Sequence, residues 1–215
     1  MPTCCDPSAY RSVFDEANAA SDARSYRKKG LDGTARRLVD RVIELGIGGA
    51  TILEVGGGVG AILLELISAG GARGTNVEIV PSYEGAAQTL IAERGLAGRV
   101  QRRVLDFAQD AGSVEAADVV VLHRVVCCYP DVRRLVGAAA ERARRILALT
   151  FPPDRWWWHL AAGGENLWLR LSTGGFRIYV HDPEVIDATV RAAGLRPVSG
   201  HKGLLWQSAI YERAA

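Results

Sequence analysis

The chain has 215 residues, 48% hydrophobic and 23% charged, the size and balance of one globular domain built on a single core. Its formal net charge is only +2 and its arginines are scattered, apart from short groups at 24–29 and 142–145, which argues against a nucleic acid or another polyanion as partner. The start Met1-Pro2-Thr3-Cys4-Cys5-Asp6 has neither a basic segment nor an apolar core, no apolar run is long enough to span a bilayer, and two adjacent cysteine pairs make no secreted disulfide framework, so a cytoplasmic protein without a membrane partner is expected.

Residues 1–30 are polar and mixed, with Tyr10, Phe14 and Tyr26, and read as a helical arm or lid ahead of a domain over 31–215. Asp32 caps a helix over 33–45, where Ala35, Leu38, Val39, Val42 and Ile43 recur at helical spacing, and Gly46 closes it. Thr51 to Val55 is a short apolar run with β-branched residues, the pattern of a buried strand. Gly56, Gly57, Gly58 and Gly60 follow, and a helix begins at Ala61. A second strand over 74–79 carries Glu78 near its end, and Pro81 opens a helix that runs to Gly95. The third strand, 100–105, is closed by Asp106-Phe107, and the fourth, 118–122, is apolar on both faces. Asp131 caps an alanine-rich helix to Arg144, and 146–151 is a fifth strand. Strands alternating with helices imply parallel pairing through right-handed crossovers. After a helix over 183–193, the runs 195–199 and 205–211 are separated by Gly200-His201-Lys202-Gly203, a connection that argues for a hairpin. The fold class expected is α/β: a Rossmann-like, doubly wound, seven-stranded sheet, mostly parallel with a C-terminal antiparallel hairpin, plus the N-terminal helical arm.

A strand that turns through glycines into a helix lets a ligand approach backbone N–H groups, and two ligand classes fit the loop here. Gly56, Gly58 and Ala61 satisfy the dinucleotide pattern G-x-G-x-x-G/A, with Glu78 at the expected distance, which would make the chain an NAD-dependent redox domain. The string Glu54-Val55-Gly56-Gly57-Gly58-Val59-Gly60, however, resembles the E/D-x-G-x-G-x-G motif of class I S-adenosylmethionine-dependent methyltransferases. A terminal hairpin after five strand–helix units is that family's topology, so the resemblance covers about residues 30–213. Acids at three strand ends (Glu54, Glu78 and Asp106) also favour a cationic sulfonium over an anionic pyrophosphate.

A carboxylate at Glu78 can accept hydrogen bonds from two vicinal ribose hydroxyls. The resemblance implies that Asp106 and Phe107 meet adenine, and that Glu54, Gly56, Gly57, Gly58, Gly60 and His123 complete the site for S-adenosyl-L-methionine. The segment Leu122-His123-Arg124-Val125-Val126-Cys127-Cys128-Tyr129-Pro130-Asp131 resembles one in plant phenolic O-methyltransferases and the I-H-Y-P segment of magnesium-protoporphyrin IX O-methyltransferases. The second likeness extends to Asp32-Gly33-Thr34-Ala35-Arg36 and to Tyr179-Val180-His181. Where those families place histidine, this chain has Cys127 or Cys128, so no catalytic base is legible beyond the candidates His123 and Tyr129. Acceptor contacts are expected from Tyr26, Cys127, Cys128, Tyr129, Trp156, Trp157, His159 and His181; the tryptophans would serve equally to pack a helix or to join subunits of a homo-oligomer. Soft thiolates suit zinc or copper(I), but adjacent cysteines lack the spacing of zinc knuckles. No metal is therefore expected, and whether Cys4, Cys5, Cys127 and Cys128 form a metal or thiol site stays open. The activity expected is transfer of the methyl group of S-adenosylmethionine to a small-molecule acceptor, in the simplest case an oxygen. The alternatives are the NAD-dependent redox domain and a cofactor-binding scaffold without turnover.

Overall fold

A computed structural model describes residues 7–172 and 175–214; Cys4 and Cys5 lie outside the described residues. In chain order the elements are α1 (Pro7–Arg11), α2 (Glu16–Lys29), α3 (Gly33–Glu44), β1 (Thr51–Val55), α4 (Ala61–Ser68), β2 (Arg73–Glu78), α5 (Glu84–Glu93), β3 (Val100–Val104), α6 (Phe107–Asp110) and β4 (Ala117–His123). Then come α7 (Val132–Arg142), β5 (Ala143–Phe151), α8 (Trp156–Ser172), α9 (Pro183–Ala192), β6 (Leu195–Lys202) and β7 (Gln207–Arg213).

The strands form one seven-stranded sheet in the order β3-β2-β1-β4-β5-β7-β6. The first five pair in parallel, and β7 runs antiparallel between β5 and β6. The period-2 alternation of side chains divides the core into two layers. Ile52, Val119, Val121, Ile146 and Ala148 pack with α2, α3, α4 and α5 on one face. Leu53, Val55, Val120, Leu122, Leu147 and Leu149 pack with α7 and α9 on the other. Chain direction across the sheet reverses between β1 and β4, and the crevice at the carboxyl ends of such a pair is where open α/β sheets bind ligands.

Several element boundaries differ from those read in the sequence, most by one to three residues. The helix expected to reach Arg144 stops at Arg142, because Ala143 turns extended and pairs with Ala117 at the start of β5. The terminal hairpin turns at 203–206 instead of 200–203: Gly200, His201 and Lys202 are strand residues facing Ala209, Ser208 and Gln207. A register shift between Pro197 and Ser199 absorbs the proline, which has no N–H for the ladder. The segment after β5 is a helix of 17 residues, α8, which the sequence reading left without secondary structure.

Candidate functional site

The glycine loop is held in place by a network of buried polar groups. Gly56 donates to the Val77 carbonyl at 2.7 Å, which ties the loop to the end of β2. Gly58 is gripped at both ends: its N–H donates to Glu78 Oε2 at 2.9 Å, and its carbonyl accepts from Arg102 Nη1 at 3.0 Å. The same Arg102 nitrogen donates to Asn76 Oδ1 at 2.7 Å, while Asn76 Nδ2 donates to Glu54 Oε2 at 3.0 Å. Glu54 Oε2 also accepts the N–H of Leu63 in the first turn of α4. Arg102 is itself anchored through Nε to Glu84 at 2.9 Å. Gly57 has to be glycine, since a Cβ there would run into the Asn76 amide and the Glu54 carboxyl group.

Glu54 therefore spends its hydrogen bonds on protein. Burial pushes its carboxyl up to about 7 from the ordinary 4.5, with Asn76 and the Leu63 N–H opposing the shift. A folded value above the unfolded one means that folding favours the protonated acid. This contribution is complete below pH ~4.5 and is lost as pH rises through ~7. Stability is expected to fall by roughly 2–3 kcal/mol between pH 5 and pH 8 from this group. Urea unfolding across that range should show the decline in the natural chain and a much flatter profile in Glu54→Gln. An equally steep profile in the variant would place the titration elsewhere.

Above the loop lies a cavity of about 490 Å³ bounded by the carboxyl ends of the strands and by the N-terminal arm. Glu78 is buried, and burial raises its carboxyl group although the N–H groups of Gly58 and Ile79 donate to it. Asp106 caps α6 through the N–H groups of Ala108 and Gln109, and its second oxygen accepts the Tyr129 hydroxyl at 3.2 Å. At the end of β4, Thr150 Oγ1 accepts the Arg124 N–H at 2.9 Å and lies 3.0 Å from His123 Nδ1. Which of the two donates in this bond depends on the tautomer of the ring. The other ring nitrogen, Nε2, faces Asp32 Oδ2 at 3.6 Å. His123, the backbone N–H of Ala35 and Arg124 together hold the Asp32 carboxyl well below the usual carboxylate range.

The cavity wall brings together Glu54, Gly56, Gly57, Gly58, Glu78, Asp106, Phe107 and His123, together with Tyr26, Cys128 and Tyr129. Gly60 is not on this wall; it precedes α4 in a left-handed conformation, φ 81°. Cys127, Trp156, Trp157, His159 and His181 are also off it. His159 pairs with Asp154 on the surface, and Trp156 is 75% exposed. Trp157 stacks on Trp158. His181 faces the Tyr129 carbonyl at 2.9 Å, and burial lowers its pKa. It thus fastens the 179–181 segment to the one after β4.

Several wall residues carried no clear signal in the sequence. Asp32 read only as a helix cap, which it is, but its second oxygen reaches Arg124 at 3.2 Å. Asp22 accepts the hydroxyl of Tyr83, and Tyr26 donates to Glu65 at 2.8 Å. Tyr10 donates to the Cys128 carbonyl at 2.8 Å, and Ser82 bonds the Phe14 carbonyl. These bonds close the arm over the cavity from four points.

No protein-family model matches the chain, and no curated protein matches it significantly. Solved structures do. Magnesium protoporphyrin IX methyltransferase from Synechocystis PCC 6803, crystallised with bound S-adenosylhomocysteine, superposes with a TM-score of 0.76 at 19% identity, over 97% of this chain and 100% of its own. An O-methyltransferase family protein from Burkholderia thailandensis gives 0.68 at 24% identity, over 94% of this chain and 64% of its own. A (4+2)-cyclase gives 0.59 at 18% identity, over 82% and 80%. The chain has the fold of S-adenosylmethionine-dependent methyltransferases.

Proposed function

We propose that the chain is an S-adenosylmethionine-dependent methyltransferase acting on a small-molecule acceptor, in the simplest case at oxygen. The observation that carries this reading is the placement of Glu78, at the end of β2, on the same cavity wall as the glycine loop it clamps and Asp106. The residues present fit the cofactor. The cavity has the size of small-molecule sites, and the carboxylates Glu78 and Asp106 on its wall suit a sulfonium ligand. Glu78 would take the ribose hydroxyls, Asp106 the adenine amine and Phe107 the ring face. When bound, the cofactor supplies an electrophilic methyl group; the protein supplies orientation and exclusion of water.

Among the described residues, neither candidate base on the cavity wall, His123 or Tyr129, is free of protein partners. His123 has its Nδ1 engaged by Thr150 and its Nε2 3.6 Å from the Asp32 carboxylate. Tyr129 donates its hydroxyl to Asp106. On this reading the acceptor arrives already nucleophilic, as a carboxylate, an acidic phenol or enol, a thiolate or an aromatic nitrogen. The chain then only has to hold the attacking atom in line, ~3–3.5 Å from the methyl carbon.

The test is a melting experiment with three ligands. S-adenosylhomocysteine or S-adenosylmethionine at 100 times its dissociation constant is expected to stabilise by ~2.7 kcal/mol, a rise of roughly 5–10 °C for a chain of this size. NAD is expected to give no shift. A shift with NAD alone would replace the methyltransferase reading by a redox one. Formation of S-adenosylhomocysteine across a panel of acceptors then separates turnover from a scaffold that binds without reacting.

In the same reading the arm over 1–30 acts as a lid. It would release its bonds to Cys128, Ser82, Tyr83 and Glu65 for ligand entry and restore them around the filled site. Limited proteolysis is expected to cut the arm more slowly when S-adenosylhomocysteine is saturating. Equal rates with and without it would count against a lid.

A further inference from the structure

Cys127 and Cys128 sit side by side in the single 3-10 turn, Val126–Cys128, that leaves β4. Their sulfur atoms are 3.8 Å apart, and both thiols point at one acceptor, the carbonyl oxygen of Arg124, at 3.7 and 3.6 Å. Arg124, whose carbonyl the two thiols share, has φ 58°, the left-handed region that a residue with a side chain rarely enters. The conformation is held by Thr150 on the Arg124 N–H, and the guanidinium is held by Asp32 and by the ring of Trp206, 4.9 Å away. The backbone of the pair is pinned as well. The Cys127 carbonyl accepts from the N–H of Tyr179 at 2.7 Å, and the Cys128 carbonyl accepts from Tyr10. Cys128 is half-buried on the cavity wall, with Cys127 buried behind it.

The sulfur separation is van der Waals contact, far from the ~2.05 Å of a disulfide, so these are two thiols converging on one point. Two preset sulfurs are the donor set of a thiophilic centre, and the choice of centre follows from how many ligands it needs. Zinc takes four protein ligands in a structural site and three in a catalytic one. Among the described residues, no cluster of three or more His, Cys, Asp or Glu could hold a metal ion. A trivalent metalloid such as arsenous or antimonous acid is satisfied by two sulfurs and keeps one hydroxyl.

We propose that Cys127 and Cys128 form a chelating site for a trivalent metalloid on the wall of this cavity. The condensation involves no oxidation or reduction. Two sulfur–metalloid bonds form, two metalloid–hydroxyl bonds break, and each hydroxyl leaves as water with the proton of one thiol. The product is neutral, so no charge is stranded in the apolar turn. Once the first sulfur is bound the second is already in place, and this high effective concentration sets the affinity. The site does not depend on methyl transfer, and its test needs no cofactor.

The probe is sodium arsenite, with the full chain carrying Cys4→Ser and Cys5→Ser so that the other adjacent pair cannot bind it. Equilibrium dialysis is expected to find one arsenic per chain. Binding should weaken roughly 100-fold when either Cys127→Ser or Cys128→Ser is added. The corresponding alanine variants, with circular dichroism as the control for folding, serve if a serine is not tolerated in the turn. In the natural chain, arsenite is expected to protect Cys128 from alkylation, read by mass spectrometry of its peptide. Arsenic binding that survives loss of either thiol in a folded chain, or alkylation of Cys128 at an unchanged rate, would overturn the proposal.

Discussion

Glu78→Ala should weaken S-adenosylhomocysteine by about 100-fold or more in calorimetric titration. The substitution acts twice. It removes a carboxylate that would accept two ribose hydroxyls, each charged hydrogen bond contributing ~1.5–3 kcal/mol, where 1.4 kcal/mol is tenfold in affinity. It also leaves the Gly58 N–H, now 2.9 Å from Glu78 Oε2, without its acceptor. Glu78→Gln separates the two effects, because an amide oxygen can still accept from Gly58 while charge is lost. An intermediate loss is expected for it. Unchanged affinity in the alanine variant would mean that the end of β2 does not meet the ligand.

The second large effect is expected at Arg102, which does not itself line the cavity. Its side chain is 5% exposed, and it joins Glu84 to the Gly58 carbonyl and the Asn76 amide oxygen. Arg102→Met keeps the length of the stem and removes the charge and the donors. Deleting the guanidinium leaves the Gly58 carbonyl and the buried Asn76 amide oxygen without their donor, at ~1–3 kcal/mol for each unsatisfied buried group, and leaves the half-buried Glu84 unpaired. At ~2–4 °C per kcal/mol for a chain of this size, the midpoint of thermal unfolding should drop by roughly 10 °C. Arg102 also opposes the burial of Glu54 and Glu78 by its charge, so both carboxyls should titrate still higher in the variant. A melting point within about 3 °C of the natural chain would show that the loop does not depend on this clamp.

The Glu78 and Arg102 effects arise from different sources. Glu78 was legible as a candidate in the sequence because its meaning is positional: an acid closing the strand after a glycine loop stands at the carboxyl-end crevice, whatever surrounds it. The same holds for Gly56 to Gly60 and for Asp106. Arg102 was not legible. It lies in the middle of an exposed-looking edge strand, Val-Gln-Arg-Arg-Val, and nothing in that string marks one arginine as 5% exposed and its neighbour Arg103 as a surface residue bonded to Ser113.

The sequence by itself determined the strand order, most of the helices, the doubly wound sheet and the terminal hairpin, because hydrophobic period, caps and glycines act within a few residues. It also located the loop and the acids around it. Only the tertiary structure decided which polar groups face each other. It turned Glu54 into an internal brace with its hydrogen bonds on Leu63 and Asn76. It moved Trp156 and His159 off the cavity wall onto the outside of α8. It set Arg124 in a left-handed conformation and brought two thiols to its one carbonyl. The Glu54 brace depends on partners 9 and 22 residues away and the Arg124 conformation on Thr150, 26 residues away, and side-chain direction at that range is fixed by packing and not by local pattern.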